Sequence, residues 1–378
     1  MSKHRKLFLA LFSLLAVIPA WATNYQVGGC LAKLPNFPTI QAAVSTVPPF
    51  STVLVCPGIY PEQITISRPL NLRGQVMFPL NLGRPVIIPP RVVGGGSGLQ
   101  VNVTNIQGTP FAAQVLVANV APVGLVNILG ITVEGSNGSL ACSSNAQIAG
   151  VFYASGTSGS VTDVTTQNQQ NNGCGFGIWA ENGAGPSQSI DLAGNSVHDM
   201  DNTGIVALSD QNPPTLTLTI SGNSVTGNNN TQGIASENVS GAIKQNVVTG
   251  GAIGIADVDF FPQQTPGISI SSNTVADIQD APGIAIVIRE GSTAKSNKIA
   301  NVLTGFYLQG GNANPGPTLS ANIAEITNTS IEFNCTTHVI LKGNTLNDSL
   351  VAFDRVPSGT SLSTPIYNID TIQTGSCP

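Results

Sequence analysis

The feature that most constrains this chain is a repeat of about 25 residues built on asparagine. The stretch from Ser221 to Gly241, "SGNSVTGNNNTQGIASENVSG", restates what "AGNSVHDMDNTGIVALSD" has just said. Asparagines followed two places on by a β-branched residue or leucine stand at 195, 223, 246, 273, 297 and 344, with Asn322 in "SANIAEI" as a degenerate member. The spacings are 28, 23, 27, 24, 25 and 22 residues, inside the window that marks solenoids and arrays. A second mark, Gly followed by Ile or Phe, recurs between them at Gly177, Gly204, Gly233, Gly254, Gly283 and Gly305. Single β-branched residues alternate with small polar ones between Gly and Asn punctuation, which is a pattern of strands and turns rather than of a helix.

Leucine-rich repeats share the period but need a Leu framework that these units lack, and propeller blades need about 40 residues each. A parallel β-helix remains. Each strand then pairs with its counterparts one coil above and below, and equivalent residues stack at about 4.8 Å. Val and Ile stack inside. Asn stacks at a bend, bonded to its neighbouring Asn and to turn backbone, and Gly takes a corner geometry. An interior Asn such as Asn273 is expected to be flanked on both sides, whereas Asn344, near the end of the series, has one flank and matters less.

The N-terminus carries Lys3, Arg5 and Lys6, then an apolar run from Leu7 to Ile18, then Ala20-Trp21-Ala22. This is the three-part pattern of a cleaved secretory signal over 1–22, and the run is too short to span a bilayer. The mature chain keeps 11 of the 14 Lys and Arg against 19 Asp and Glu, a net charge of 11 − 19 = −8. Nucleic acid and anionic membrane are poor partners for such a surface. Charged residues make up only 9%, so neutral hydrogen-bonding groups dominate, which suits a polysaccharide. The expected location is secreted, periplasmic or cell-surface, and the expected state a monomer.

Six cysteines in an exported chain point to disulfides, and their spread favours three local pairs, Cys30 with Cys56, Cys142 with Cys174 and Cys335 with Cys377. No CxxC occurs, so no metal site is expected from cysteine.

The opening of the mature chain adds an independent signal. "FPTIQAAVSTVPPFSTVLVCPGIYPEQITISRPLNLRG" places Ile40, Ala43, Val44 and Val47 on one helical face, then strands around Val53 and 64–66. This segment resembles the exported β-helix proteins of the pectin-lyase-like superfamily, whose cap and first coil commonly read "TIQAAV…G.Y.E.I.I…L.L.G". The resemblance implies an all-β fold: a single-stranded right-handed parallel β-helix with a short N-terminal capping helix. It divides the chain into a cap and first coil (23–74), coils (75–356) and a terminal cap or tail (357–378).

The superfamily includes enzymes on polysaccharides, but the blocks that carry catalysis in pectin methylesterases and polygalacturonases are missing. A lyase would need carboxylates to hold Ca2+ against an acidic sugar, plus a basic residue to take a proton. Ca2+ is therefore the one cofactor that reading admits. Registering the coils on the Gly mark brings Asp257, Asp259, Arg289 and Glu290 to one strand end, the best acidic-plus-basic cluster in the chain. Solvated charges pairing across coils would look the same. The same register sets Trp179 and Tyr307 five coils apart as exposed aromatics, on one outward face with Glu181 and Glu237, an arrangement suited to gripping sugar rings. The turn "VHDMDN" offers His198, Asp199 and Asp201 as a further cluster. Two classes of function fit: a carbohydrate-interacting protein that is a lyase or hydrolase, and a non-catalytic adhesion or structural protein.

Overall fold

The structure, a computed structural model, describes residues 23–76, 83–91, 98–120, 124–135, 146–211, 213–228, 230–258, 267–309, 316–334, 336 and 338–356. The signal-like segment 1–22, the tail 357–378, Cys142, Asp259, Cys335 and Cys377 lie outside the described residues.

The chain winds as a single parallel β-helix with three faces. On the first face, strands such as Gln188–Ala193, Leu216–Ser221, Ser240–Lys244, Ser269–Ser271, Thr293–Lys295, Thr318–Ser320 and Ile340–Lys342 stack in order. Each is followed by a turn around one asparagine of the repeat and by a strand on the second face: Ser196–His198, Ser224–Thr226, Val247–Thr249, Thr274–Ala276. A longer strand then forms the third face: Gly175–Asn182, Thr203–Ser209, Gln232–Glu237, Ile253–Val258, Ile284–Ile288. Lys298–Leu308 and Ile323–Phe333 run unbroken across the second and third faces. Among the described residues every strand pairing is parallel except that of Val103–Thr104 with Pro110–Val117.

Aliphatic side chains fill the axis in stacked columns. Val197, Val225, Val248 and Val275 form one and Ile205, Ile234, Ile255 and Ile286 another, all buried. Each such side chain contributes about 1.5–3 kcal/mol on leaving water, and the contribution repeats coil after coil.

The asparagines form one continuous buried ladder. Asn273 Oδ1 accepts from the backbone N and the Nδ2 of Asn246, both at 2.9 Å, while its own Nδ2 donates to Asn297 Oδ1 at 2.9 Å and to the Ile243 carbonyl at 3.0 Å. The pattern holds from Asn195 through 223, 246, 273, 297 and 322 to Asn344. The ladder is directional. Asn344 still accepts both bonds from Asn322, whereas Asn195 Oδ1 accepts only the Val164 N–H, so the cheaper end is the first and not the last as the sequence reading has it. The residue before every one of these asparagines has a left-handed φ, from +53° at Ala321 to +63° at Gly194 and Gly222. Gly occupies three of the seven positions; Gln245, Ser272, Ser296 and Ala321 hold the same strained geometry with a side chain.

The glycines of the second mark have a different reason from the one expected. Gly204 is not at a corner but inside the third-face strand Thr203–Ser209, where an added Cβ would lie 2.6 Å from Val225 Cγ1 and 2.7 Å from the Gly233 carbonyl. Close packing of two faces, rather than turn geometry, excludes a side chain. At one coil the mark misleads. Ile255 pairs with Ile286 and Ala256 with Val287, so Ala285 takes the place of Gly254's equivalent and Gly283 lies two residues earlier.

The capping helix spans Ile40–Thr46, with Ile40, Ala43 and Val44 buried over the first coil and Val47 buried at its C-cap. Thr39 Oγ1 accepts the Ala42 N–H, and Glu62 accepts those of Ile40 and Gln41 at 2.9 and 2.8 Å. Glu62 thus satisfies two of the helix's orphan donors from a neighbouring segment. Tyr60 donates to the Cys56 carbonyl at 2.8 Å, and Cys30 is bonded to Cys56 with the Cα atoms 5.8 Å apart. Cys174 is also disulfide-bonded.

Candidate functional site

One outward column runs the length of the third face. Strand register stacks Leu116, Phe152, Trp179, Val206, Ala235, Ala256, Val287, Tyr307, Glu332 and Asp354 in that order. Trp179 and Tyr307 do share this column, five coils or about 24 Å apart. Its two ends differ in chemistry.

The Trp179 end is covered, which corrects the expectation of an exposed aromatic. Trp179 is only 6% exposed, packed with Phe111, Phe152 and Phe176 at ring separations of 4.8, 6.0 and 5.0 Å. The antiparallel strand Val103–Thr104 pairs beside Phe111, and Val103 and Ile106 pack on the cluster. Outward-pointing aromatics here form a second apolar core beneath an added segment. Glu181 is likewise buried. It accepts from Trp179 Nε1 at 2.9 Å and from the Ile106 backbone, and burial pushes its carboxyl up to about 7 despite those bonds, with Asp210 adding to the rise. Glu237 is half-buried, two coils on from Glu181 with Leu208 between them.

The acidic-plus-basic cluster resolves into an internal pair. Asp257 lies in register with Ser236 and has no exposed surface. Its carboxylate accepts from Ser292 Oγ at 2.5 Å and Ser236 Oγ at 3.1 Å, and faces Arg289 Nε at 3.3 Å. Burial raises the Asp257 carboxyl; Arg289 and the two serines oppose that rise. A side chain sealed inside the coil touches no polymer in solution, so Asp257 and Arg289 are not the accessible strand-end charges that the sequence suggests. Glu290 is half-buried beside them.

The "VHDMDN" turn also has a local explanation. Asp201 accepts the backbone N–H groups of Asn171, Gly173 and Gly175 at 2.5, 3.0 and 2.6 Å, clamping the preceding coil's loop, and His198 Nδ1 meets Asp199 at 2.6 Å.

The other end of the column is polar and partly open, and sequence reasoning found only one member of it. Tyr307, Glu332 and Asp354 occupy three successive coils. Arg355 reaches both carboxylates, with Nη1 3.0 Å from Glu332 Oε1 and Nε 3.7 Å from Asp354 Oδ2. Side-chain exposure is 17% for Glu332, 24% for Asp354 and 56% for Arg355. Burial raises the Glu332 carboxyl above its usual range; Arg355 opposes this, and Asp354 adds to it. Burial and Glu332 raise the Tyr307 hydroxyl, which bonds Asn334. Extending the register past Tyr307 by 25 and then 22 residues would have reached Glu332 and Asp354, but "NTSIEFNC" and "VAFDRV" carry neither mark of the repeat.

Among the described residues no group of three or more His, Cys, Asp or Glu side chains could hold a metal ion, and no helix is long and apolar enough to cross a membrane. No known family profile matches the sequence, and no curated protein matches it. Solved structures do. A GH136 lacto-N-biosidase from Eubacterium ramulus superposes with a TM-score of 0.52 at 12% identity, over 87% of this chain and 68% of that one. The DFA-IIIase of Arthrobacter chlorophenolicus A6, in a form without its lid, gives 0.50 at 14% identity, over 93% and 99%. At such identities the likeness is one of fold: this chain is a parallel β-helix protein.

Proposed function

We propose that this is an exported carbohydrate-active protein, working as a monomer, whose site is the Tyr307–Glu332–Asp354–Arg355 end of the outer column, and that its chemistry is glycoside hydrolysis. The observation that carries the reading is a pair of carboxylates on adjacent coils in unequal environments. Neighbouring coils are about 4.8 Å apart, close to the roughly 5 Å that separates acid and nucleophile in retaining glycosidases. Glu332, its carboxyl raised, is suited to hold a proton and give it to the leaving oxygen as the glycosidic bond breaks. Asp354, one coil on and 3.7 Å from Arg355 Nε, is placed to bond the anomeric carbon. Water then cleaves that bond, and its proton returns to Glu332. Tyr307 offers a ring face for the adjoining sugar. Export is supported by the signal-like N-terminus and the Cys30–Cys56 bond. The solved neighbours include a lacto-N-biosidase and a DFA-IIIase, which support a carbohydrate ligand by analogy of fold only.

The test is to incubate the mature protein with a panel of plant and bacterial glycans and follow new reducing ends. Glu332→Gln and Asp354→Asn should abolish product with little change in melting. The rival, non-catalytic reading is favoured by Arg355 already engaging both carboxylates. It predicts no product from any glycan, with the two substitutions felt only as the loss of weak inter-coil pairs, and that result would overturn the proposal.

A further inference from the structure

The first face carries a regular row of lysines on its outer side. Register stacks Ser221, Lys244, Ser271, Lys295, Ser320 and Lys342 on six successive coils, so that ammonium groups alternate with hydroxyls. All three lysines are exposed, and among the described residues none forms an ion pair. The five first-face strands from Ser240–Lys244 to Ile340–Lys342 contain no Asp or Glu, in a chain whose mature charge is −8. Lys298 lies beside the row, at the start of the adjoining strand.

The row is also rigidly spaced. Each of its members stands two residues before an asparagine of the buried ladder, whose hydrogen bonds fix the rise from coil to coil. Successive lysines are therefore two coils, about 9.6 Å, apart along a straight line. That is about the length of a disaccharide in an extended chain.

We infer that this row is a docking strip for a linear anionic polysaccharide presenting one carboxylate or sulfate per disaccharide along one side, with the intervening serines bonding sugar hydroxyls. Duplex DNA fits less well, since its phosphates recur every 3.4 Å or so along each strand and the rest of the protein repels it. The strip lies on a different face from the Glu332 column and does not depend on cleavage there.

The test is binding of the mature protein to a polyuronate, a sulfated glycan of equal length, neutral dextran, duplex DNA and anionic lipid vesicles, at low and at physiological salt. The first two arms separate carboxylate from sulfate recognition. Binding to at least one of them, weakened by salt and absent for dextran, is expected. Lys244→Ser, Lys295→Ser and Lys342→Ser together should weaken it roughly tenfold or more, as the sum of three modest charge contacts, with an unchanged denaturation midpoint. The exchange Lys295→Ser with Ser271→Lys preserves charge but breaks the spacing, and should weaken binding severalfold. Equal affinity of that exchange variant and the native protein would overturn the spacing argument. Undiminished binding by the triple variant, binding of neither anionic glycan, or DNA or vesicles bound as tightly as the glycan would each overturn the assignment. Glu332→Gln should leave this binding intact, which keeps its failure distinct from that of the hydrolase reading.

Discussion

Asn273→Leu tests the hydrogen-bonded spine of the fold. The substitution removes one acceptor that serves two buried donors, the backbone N–H and the Nδ2 of Asn246, and it also removes the bond to the Ile243 carbonyl. Asn297 Oδ1 retains the Asn273 backbone N–H, so it is not orphaned. Two buried donors left unpaired cost about 1–3 kcal/mol each, or roughly 2–6 kcal/mol together, and leucine gains nothing in a pocket shaped by polar backbone. At Asn195 the same change orphans only the Val164 N–H, for about 1–3 kcal/mol. Asn344→Leu should fall nearer Asn273 than Asn195, because Asn322 loses both of its acceptor contacts there. Urea denaturation of the mature variants, compared at constant m, gives the differences. Equal shifts for Asn195→Leu and Asn273→Leu, or shifts for both within the roughly 0.5 kcal/mol of ordinary surface changes, would refute the ladder as the source of this stability.

Two further outcomes follow from single residues. Ala321→Gly relieves a left-handed φ of +53° held by a side chain that makes no compensating bond, and should raise stability by about 0.5–1 kcal/mol, read as a higher denaturant midpoint. Glu181 binds its proton more tightly folded, at about 7, than unfolded, so its contribution is full below its unfolded value and is lost as pH rises through about 7, some 3 kcal/mol in all. Glu181→Gln should therefore flatten the stability–pH curve over that window and stabilise the protein at neutral pH; a curve that keeps its slope would contradict the burial of that carboxylate.

Much of the fold was legible because a solenoid writes the same constraint many times. One Asn series fixed the coil length, the strand alternation and the buried ladder, and the "TIQAAV" opening gave the capping helix with its buried face. The register failed at Gly283, where Ala285 is small enough to serve between packed faces and erases the mark on which the alignment relied. That slip of two residues displaces Arg289 and Glu290 along the coil but swaps no faces; Asp257 follows the outward Ala256 and is inward by simple alternation, which the reading of it as a strand-end charge overlooked. Trp179 was read as exposed because outward on a coil equals exposed only where nothing lies over it, and the segment around Val103 and Ile106 has no repeat to announce it. Glu332 and Asp354 escaped for the opposite reason, since their coils carry neither mark although the register passes through them.

The most direct test of the functional account is a crystal of the Glu332→Gln protein soaked with whichever oligosaccharide the native protein cleaves. The account predicts a sugar lying against Tyr307 with its glycosidic oxygen facing residue 332 and its anomeric carbon facing Asp354. Sugar bound only elsewhere on the coil, with Arg355 still spanning an empty pair, would contradict it.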